Sequence, residues 1–463
     1  MKFWEEEDTI IALSTPVGRG ALSVVRLSGA DCLTMVNRIF STRLEKSDHR
    51  RAVIGEILSH STKSLIDQCV VTYFRSPNSY TGEDMVEISC HCNQLIIDQV
   101  IQEFVNLGAR IARPGEFTKR AFMNQKLDLS QAEAVASVIE AKSRQGLSIS
   151  LRQLEGGLSR KVNDIKQAIL DIASIVELNL DFDENDIQVY ERKDVVRRAQ
   201  NIISQIESLV HTYEYGKLLT EGIKILILGK PNVGKSSLLN AILEKDRAIV
   251  SEIPGTTRDY IEGYTHVEGI PIQIVDTAGI RETNDTIEDI GVQRALQHME
   301  SSDIVLAMFD IHKPLDNDDY RLIQYIELER NKLPILVVLN KLDRGIEQST
   351  FQYLKKLGFE FVQISVKLGQ NITEMNKLIK NKLVTDLSVE QEEVVVANAR
   401  HRTALVNTKK SLLSLLKGLK TGIDEVILTT ELQSALDYIG EIAGESTSED
   451  VLNNIFNQFC VGK

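Results

Sequence analysis

One segment restricts the fold of this chain more than any other: residues 229–236 read GKPNVGKS. The spacing is that of a G-x-x-x-x-G-K-S loop, in which backbone N–H groups and a helix N-terminus face bound phosphates. An apolar run at 223–228 precedes it and a helical pattern follows it. This order predicts an α/β nucleotide-binding domain, with Lys235 on the outer phosphates and the Ser236 hydroxyl on Mg²⁺.

Two further motifs indicate which nucleotide the domain binds. Residues 340–343 read NKLD and follow an apolar strand pattern. The Asp343 carboxylate can accept hydrogen bonds from the imino and exocyclic amine groups of guanine, a donor pair that adenine lacks. Between the loops, residues 276–279 read DTAG, where Asp276 can hold Mg²⁺ through water and the Gly279 N–H can contact a γ-phosphate. Together the three motifs predict a guanine-nucleotide switch.

The segments that respond to the γ-phosphate are predicted from the same order. Residues 251–259 read SEIPGTTRD, and a hydroxyl of Thr257 or Thr256 is expected to complete the Mg²⁺ coordination. Ile280 stands where many small GTPases carry a glutamine that orients the attacking water, a task isoleucine cannot perform. Glu288 is a candidate for that task, although composition alone favours a solvated surface residue there.

Composition sets the broad class. A chain of 463 residues suggests two to four domains. No apolar run reaches about 18 residues, so no membrane span is expected. The acidic N-terminus lacks a signal-peptide pattern, and the cysteines number five, so reduced thiols in a cytoplasm are expected. The net charge of −13 argues against non-specific binding to nucleic acid.

The pattern along the chain predicts a multidomain fold. Residues 1–125 mix strand and helix patterns, which indicates an α+β domain. Residues 126–221 are helical, and Ser130 with Glu133 predicts a capping box. Residues 222–383 alternate strands and helices, as in an α/β sheet domain. Residues 384–463 are helical again, notably over 394–418 and 424–442, so the nucleotide domain is inserted into a helical bundle that its movement can strain.

Two flanking segments point to a family. Residues 114–129 read PGEFTKRAFMNQKLDL, and the chain ends FCVGK at 459–463. With the switch motifs, they make the chain similar to the MnmE (TrmE) family of tRNA-modification GTPases over essentially its whole length. The resemblance implies an N-terminal tetrahydrofolate-binding and dimerisation domain, an α-helical bundle domain and an inserted α/β Ras-like P-loop G domain.

The resemblance also implies a reaction and partners. A homodimer would join the FAD-dependent protein MnmG in a heterotetramer. The pair would add an aminomethyl or carboxymethylaminomethyl group to the wobble uridine of certain tRNAs. The carbon would come from methylene- or formyl-tetrahydrofolate. GTP hydrolysis would depend on K⁺ and be triggered when two G domains meet.

Residue roles in the G domain follow from the same resemblance. Ser236 and Thr257 match Mg²⁺ ligands, and Glu288 matches the glutamate that orients the attacking water, which reverses the expectation from composition. The K⁺ ligands would be Asn232, Ser251, Ile253 and Thr256. The predicted GTP contacts are Asn232, Val233, Gly234, Lys235, Ser236, Ser237, Ser251, Glu252, Ile253, Pro254, Gly255, Thr256, Thr257, Asp276, Thr277, Ala278, Gly279, Asn340, Lys341, Leu342, Asp343, Ser365, Val366 and Lys367.

The resemblance places a second site in the N-terminal domain. Its folate contacts would be Arg26, Glu87, Lys126 and Lys463, and basic residues suit the anionic glutamyl tail of a folate. Cys460 would lie near this site as a candidate catalytic thiol. This chain departs from the family at 90–93, where CHCN replaces the usual glycines after the histidine. Neighbours on a strand point to opposite faces, so this run is expected to be structural and not a zinc site.

Two alternative functions remain open at this stage. An Era-like switch in ribosome assembly shares the switch motifs, but such proteins generally carry a distinct RNA-binding module. A folate-dependent methyltransferase regulated by GTP is the other alternative, although residues 1–130 show no self-contained acid–base set.

Overall fold

The computed structural model describes residues 8–180, 192–244, 264–275, 299, 302–383, 394–421 and 425–463. These residues form two compact units. The first comprises described residues within Met1–Ile139, Arg152–Gln205 and Thr403–Lys463, and the second comprises those within Glu140–Leu151 and Ile206–Arg402. Over these described ranges, each unit contains one six-stranded sheet.

The sheet of the first unit is mixed and has the strand order β3-β4-β5-β2-β1-β6. Val25 and Leu27 of β2 are buried in its core, whereas Arg26 between them faces the other side. This period of two is what a sheet with one covered face requires. The strands are β1 (Ile10–Leu13), β2 (Leu22–Ser28), β3 (Ala52–Leu58), β4 (Leu65–Phe74), β5 (Met85–His91) and β6 (Arg110–Ile111).

The sheet of the second unit has the order β12-β11-β10-β7-β9-β8, and its pairs are parallel except for the β8–β9 hairpin. Every residue of β10 and β11 is buried, as expected for central strands covered on both faces. The strands are β7 (Ile223–Leu228), β8 (Tyr264–Val267), β9 (Ile270–Val275), β10 (Ile304–Asp310), β11 (Ile335–Asn340) and β12 (Phe361–Gln363).

The helices of the described ranges supply the rest of both units. The helices are α1 (Cys32–Ile39), α2 (Gln94–Asn106), α3 (Glu116–Met123), α4 (Leu129–Glu140), α5 (Arg144–Leu154), α6 (Gly157–Leu180), α7 (Arg192–His211), α8 (Tyr213–Glu221), α9 (Lys235–Glu244), α10 (Asn317–Glu329), α11 (Gln348–Lys356), α12 (Ile372–Leu383), α13 (Ala399–Thr421), α14 (Glu425–Ala443) and α15 (Glu449–Phe456). Helices α4, α5 and α6 follow the strands of the first sheet in sequence and are joined by short connections.

The predicted capping box of Ser130 and Glu133 is wrong. Helix α4 begins at Leu129, so Ser130 already lies in its first turn. Asp128 takes the capping role instead, because its Oδ1 accepts hydrogen bonds from the Gln131 N–H and the Ser130 hydroxyl, each at 2.9 Å. The cap of α4 therefore lies two residues before the predicted one.

The helix predicted over 394–418 begins five residues later, at Ala399. The preceding segment is not helical because Val396 is buried and its N–H donates to Thr212 Oγ1 at 2.9 Å. A Cβ at Gly216 would overlap the carbonyl oxygen of Val396, so this close approach requires a glycine. A tertiary contact therefore overrides the local helical pattern.

Candidate functional site

The phosphate-binding loop lies where the sequence predicts, at the carboxyl end of β7 and before α9. The ends of parallel strands are the usual ligand-binding edge of such sheets. Lys235 Nζ donates to the carbonyl oxygens of Gly229 at 2.6 Å and Lys230 at 3.0 Å, so its charge lies inside the loop. Asn232 has a φ of 63°, a left-handed conformation that asparagine tolerates better than most residues.

Gly234 joins this loop to the guanine-recognition segment. Its φ is +113°, and a Cβ there would overlap Nδ2 of Asn340. Asn340 Nδ2 donates to the Val233 carbonyl oxygen at 2.8 Å, and Asn340 Oδ1 accepts from the Val366 N–H at 3.1 Å. One buried asparagine thus connects the phosphate loop, the NKLD motif and the segment after β12.

The NKLD motif presents an exposed carboxylate, that of Asp343. Lys341 has a φ of 71°, and its Nζ donates to Asp310 Oδ2 at 2.7 Å. Asp343 Oδ1 accepts a hydrogen bond from the Ser365 hydroxyl at 2.7 Å. This bond lowers the pKa of Asp343 below its ordinary value, which keeps the exposed carboxylate ionised.

The structure thus brings together three of the five predicted groups of GTP contacts: residues 232–237, 340–343 and 365–367. The groups at 251–257 and 276–279 lie outside the described residues, as does Glu288. Ser236 is exposed in the first turn of α9, so its hydroxyl is accessible to Mg²⁺. Mg²⁺ is commonly held by one or two side chains together with phosphate oxygens, and Ser236 fits that coordination.

Among the described residues, no group of three or more His, Cys, Asp or Glu side chains is arranged to hold a metal ion. The run at 90–92 illustrates this. Cys90 is buried with Sγ donating to the Ser23 carbonyl oxygen, and Cys92 Sγ donates to the carbonyl oxygen of Gly18. His91 Nδ1 lies 2.8 Å from Asp67 Oδ1 instead. The three side chains have separate partners, in accord with a structural role.

Two of the predicted folate residues form one ion pair on the sheet of the first unit. Arg26 and Glu87 are register partners on β2 and β5, and Arg26 donates through Nε and Nη2 to Glu87 Oε1 at 3.0 and 2.7 Å. The guanidinium also lies over the rings of Tyr80 and Phe117, with centroids at 5.4 and 5.7 Å. Sequence reasoning missed both rings as neighbours of Arg26, although Phe117 belongs to the PGEFTKRAF segment.

The C-terminal segment contacts the same region. The N–H of Phe117 donates to the Lys463 carbonyl oxygen at 3.2 Å, and that of Gly115 donates to the Cys460 carbonyl oxygen at 3.4 Å. The Ser14 hydroxyl donates to the Gly462 carbonyl oxygen at 3.1 Å. The Cys460 side chain is exposed. The two family-specific segments are therefore in direct contact through the start of α3.

Lys126 has different surroundings from the other predicted folate residues. Its Nζ donates to the Pro77 carbonyl oxygen at 3.0 Å. It lines a cavity of about 670 Å³ whose walls also include Lys119, Phe122 and Leu452. Arg26, Glu87 and Lys463 do not line this cavity. Arg26 and Lys463 each contact Phe117, and Glu87 pairs with Arg26, whereas Lys126 shares none of these contacts.

A cluster of charged residues holds α3 in place. Arg120 pairs with Asp8, Glu83 and Glu116, and Arg110 pairs with Asp8 and Glu116. Burial is the largest single influence on the pKa of Glu116 and raises it, but the hydrogen bonds from Arg110 and the Arg113 N–H, together with the charges of Arg110 and Arg120, bring that pKa below its ordinary value. Paired charges of this kind fix the orientation of the helix that carries the C-terminal contacts.

Fold and site together define the class of this protein. A mostly parallel sheet carries a P-loop and an NKLD loop joined by Asn340, which is the arrangement of a guanine-nucleotide-binding G domain. That domain is flanked in sequence by an α+β domain and by helices, so the chain is a multidomain P-loop GTPase.

Comparisons with known proteins give the family. Residues 129–460 match the family described as MnmE helical domain, and residues 9–126 match GTP-binding protein TrmE N-terminus. The tRNA modification GTPase MnmE of Thermoanaerobacter pseudethanolicus is 39% identical, covering 98% of this chain and 99% of the relative. That of Aquifex aeolicus is 40% identical, covering 98% and 100%. This chain belongs to the MnmE family of tRNA modification GTPases.

A solved G-protein structure is similar to part of this chain. A structure of Aquifex aeolicus Era is 30% identical and covers 42% of this chain and 67% of that one, with a TM-score of 0.28, which is too low to support any argument about the fold. Within the ranges that the structure describes, no helix combines the length and the apolar character needed to cross a membrane.

Proposed function

We propose that this chain is the GTP-hydrolysing component of a tRNA-modification enzyme in the cytoplasm. As a homodimer bound to FAD-dependent MnmG, it would add an aminomethyl or carboxymethylaminomethyl group to the wobble uridine of certain tRNAs. The observation that carries the proposal is the pair of family matches over residues 9–126 and 129–460, which extend far beyond the G domain. An isolated G domain would support only nucleotide binding.

The proposed roles in hydrolysis combine the described phosphate loop with residue roles that the family resemblance implies. Lys235 and the loop N–H groups would hold the phosphates, and Asp343 would select guanine. Ser236 and Thr257 would hold Mg²⁺, and Glu288 would orient the attacking water. Bound K⁺ would supply positive charge to the transition state, where other GTPases use an arginine. Asn232 would bind that ion together with the oxygens of Ser251, Ile253 and Thr256.

The proposed folate site is the region around Phe117. Arg26 and Glu87 provide a donor and an acceptor for a pterin ring, and Lys463 and Lys126 provide positive charge for a glutamyl tail. Cys460 would act there as an accessible thiol. In support, Cys460 is the exposed member of five cysteines that are all free thiols, while Cys92 is half-buried and the other three are buried.

The proposal predicts a change in tRNA that mass spectrometry can measure. In cells that lack this chain, the wobble modification should disappear from tRNA nucleosides, and the wild-type chain should restore it. Cys460→Ser should fail to restore it because the thiol would be lost from the folate site, whereas Cys92→Ser serves as a matched control and should restore it.

Two outcomes would contradict this expectation in different ways. Unchanged tRNA in cells without the protein would reject the tRNA assignment and favour an Era-like role in ribosome assembly. Full restoration by Cys460→Ser would retain the tRNA assignment and remove the thiol from the reaction.

The proposed monovalent-ion site predicts a selective stimulation of hydrolysis. The initial rate of GTP hydrolysis should be at least about tenfold higher in KCl than in NaCl of the same concentration, because transition-state charge stabilisation by one group is typically worth that much or more. Nucleotide affinity measured in the two salts controls for a simple binding effect. Equal rates would show that no K⁺-selective site acts in hydrolysis.

A further inference from the structure

A charged side chain of the phosphate loop points away from the phosphates. Lys230 follows the first glycine of the loop, and its Nζ donates to Asp316 Oδ2 at 2.7 Å and to Asp319 Oδ2 at 2.6 Å. Both acceptors lie at the start of α10. The Lys230 side chain is only 17% exposed. A lysine in a phosphate-binding motif is therefore committed to carboxylates of the same domain.

The Asp319 carboxylate is buried and depends on Lys230 for charge compensation. It is 3% exposed, and its Oδ1 has no hydrogen-bond partner among the described residues. Its Oδ2 accepts from Lys230 and from the Asp316 N–H at 3.1 Å, within the capping box of α10. A buried carboxylate is costly unless an opposite charge compensates it. Lys230 provides that charge.

The backbone of Lys230 is also fixed, by a hydrogen bond from Lys235. Its carbonyl oxygen, together with that of Gly229, accepts a hydrogen bond from Lys235 Nζ. The same residue is thus fixed to α10 by its side chain and to the loop interior by its carbonyl group. Ordering a loop before its ligand arrives reduces the entropy lost on binding.

We infer that Lys230, Asp316 and Asp319 form an ion-pair clamp that positions the phosphate loop for nucleotide binding. In this clamp Lys230 is a positioning residue. Its charge is neutralised by carboxylates, so phosphate recognition is left to Lys235 and the backbone N–H groups. The inference rests on GTP binding by the G domain and does not involve the tRNA reaction.

The experiment measures the affinities of the purified full-length chain for GDP and for a non-hydrolysable GTP analogue. Lys230→Met should weaken both by a similar factor of about ten, which corresponds to about 1.4 kcal/mol. Asp319→Asn should also weaken both. Lys230→Arg should retain most of the affinity, because a guanidinium can pair with two carboxylates. The double variant Lys230→Met/Asp319→Asn should lose less than the sum of the single changes.

Two controls separate positioning from folding and from charge. Lys332→Met removes an exposed lysine of the same domain, which pairs with Glu329, and should leave the affinities unchanged. Thermal unfolding of each variant identifies any that fail to fold. Lys230→Met keeps both carboxylates of the α10 capping box, so it still tests the clamp if Asp319→Asn disrupts that box.

Changes in nucleotide affinity in the opposite direction would overturn the inference. If Lys230 contacted phosphates directly, Asp319→Asn would release it and tighten binding, and Lys230→Met would weaken the GTP analogue more than GDP. Unchanged affinities in Lys230→Met would also reject the clamp. Failure of the wild-type chain to bind either nucleotide would instead reject the nucleotide function itself.

Discussion

The substitution Asp343→Asn should change the nucleotide that this chain prefers from GTP to xanthosine triphosphate. The carboxylate of Asp343 can accept both donors of guanine, the imino group and the exocyclic amine. An amide at the same place offers one acceptor and one donor, which match the imino group and the 2-carbonyl oxygen of xanthine. A site built around such hydrogen bonds rejects a mismatched base by about 10⁴-fold.

The structure supports a local effect of this substitution. Asp343 is exposed and positioned by the Ser365 hydroxyl at 2.7 Å, and an asparagine oxygen can accept the same bond. Hydrolysis assays with GTP and xanthosine triphosphate measure the change. Asp318→Asn is the matched control, because Asp318 is a carboxylate of the same domain that is 65% exposed, and it should keep the wild-type preference for GTP. Continued preference of Asp343→Asn for GTP would show that another group recognises the base.

The substitution Gly462→Ala should abolish tRNA modification while GTP still binds. Gly462 has a φ of +92°, and a Cβ there would overlap the Leu13 carbonyl oxygen. The added methyl group must push the C-terminal segment away from the start of α3. Cys460 and Lys463 would then leave their positions beside Phe117, and misplacement by about 1 Å can cost about 100-fold in rate.

Gly108→Ala is the matched control for this experiment. Gly108 also has a positive φ, +107°, but the nearest atom to its added Cβ would be Met35 Cε at 3.9 Å. The control therefore has the same kind of backbone strain without a steric overlap. Wobble-uridine nucleosides from cells rescued with each variant are the readout, with the affinity for GTP measured in parallel. Wild-type modification by Gly462→Ala would show that docking of the C-terminal segment is not required.

Local patterns predicted most of the elements around both sites. The apolar run at 223–228 is strand β7, and the apolar strand pattern that precedes residue 340 is strand β11. Buried parallel strands give continuous apolar runs between turn signals, which is why they were recognisable. Strand β3 has no such run, because Gly55 and Glu56 interrupt its pattern; the glycine is needed there since an added Cβ would lie 2.6 Å from the Phe40 ring.

The sequence by itself determined the chemistry of the G domain and the family of the chain. The loops at 229–236 and 340–343 are contiguous, and their function depends on residue types at short spacing, so a linear pattern contains the information. The segments at 114–129 and 459–463 identified the family for the same reason.

Only the tertiary structure decided how distant residues meet. Asn340 against Gly234, Lys230 against Asp319, and Phe117 against Lys463 are separated by about 90 residues or more in sequence. The late start of α13 at Ala399 was also decided by a buried contact between distant segments. Side-chain propensity acts over a few residues, whereas burial and hydrogen bonding between segments depend on the folded path of the whole chain.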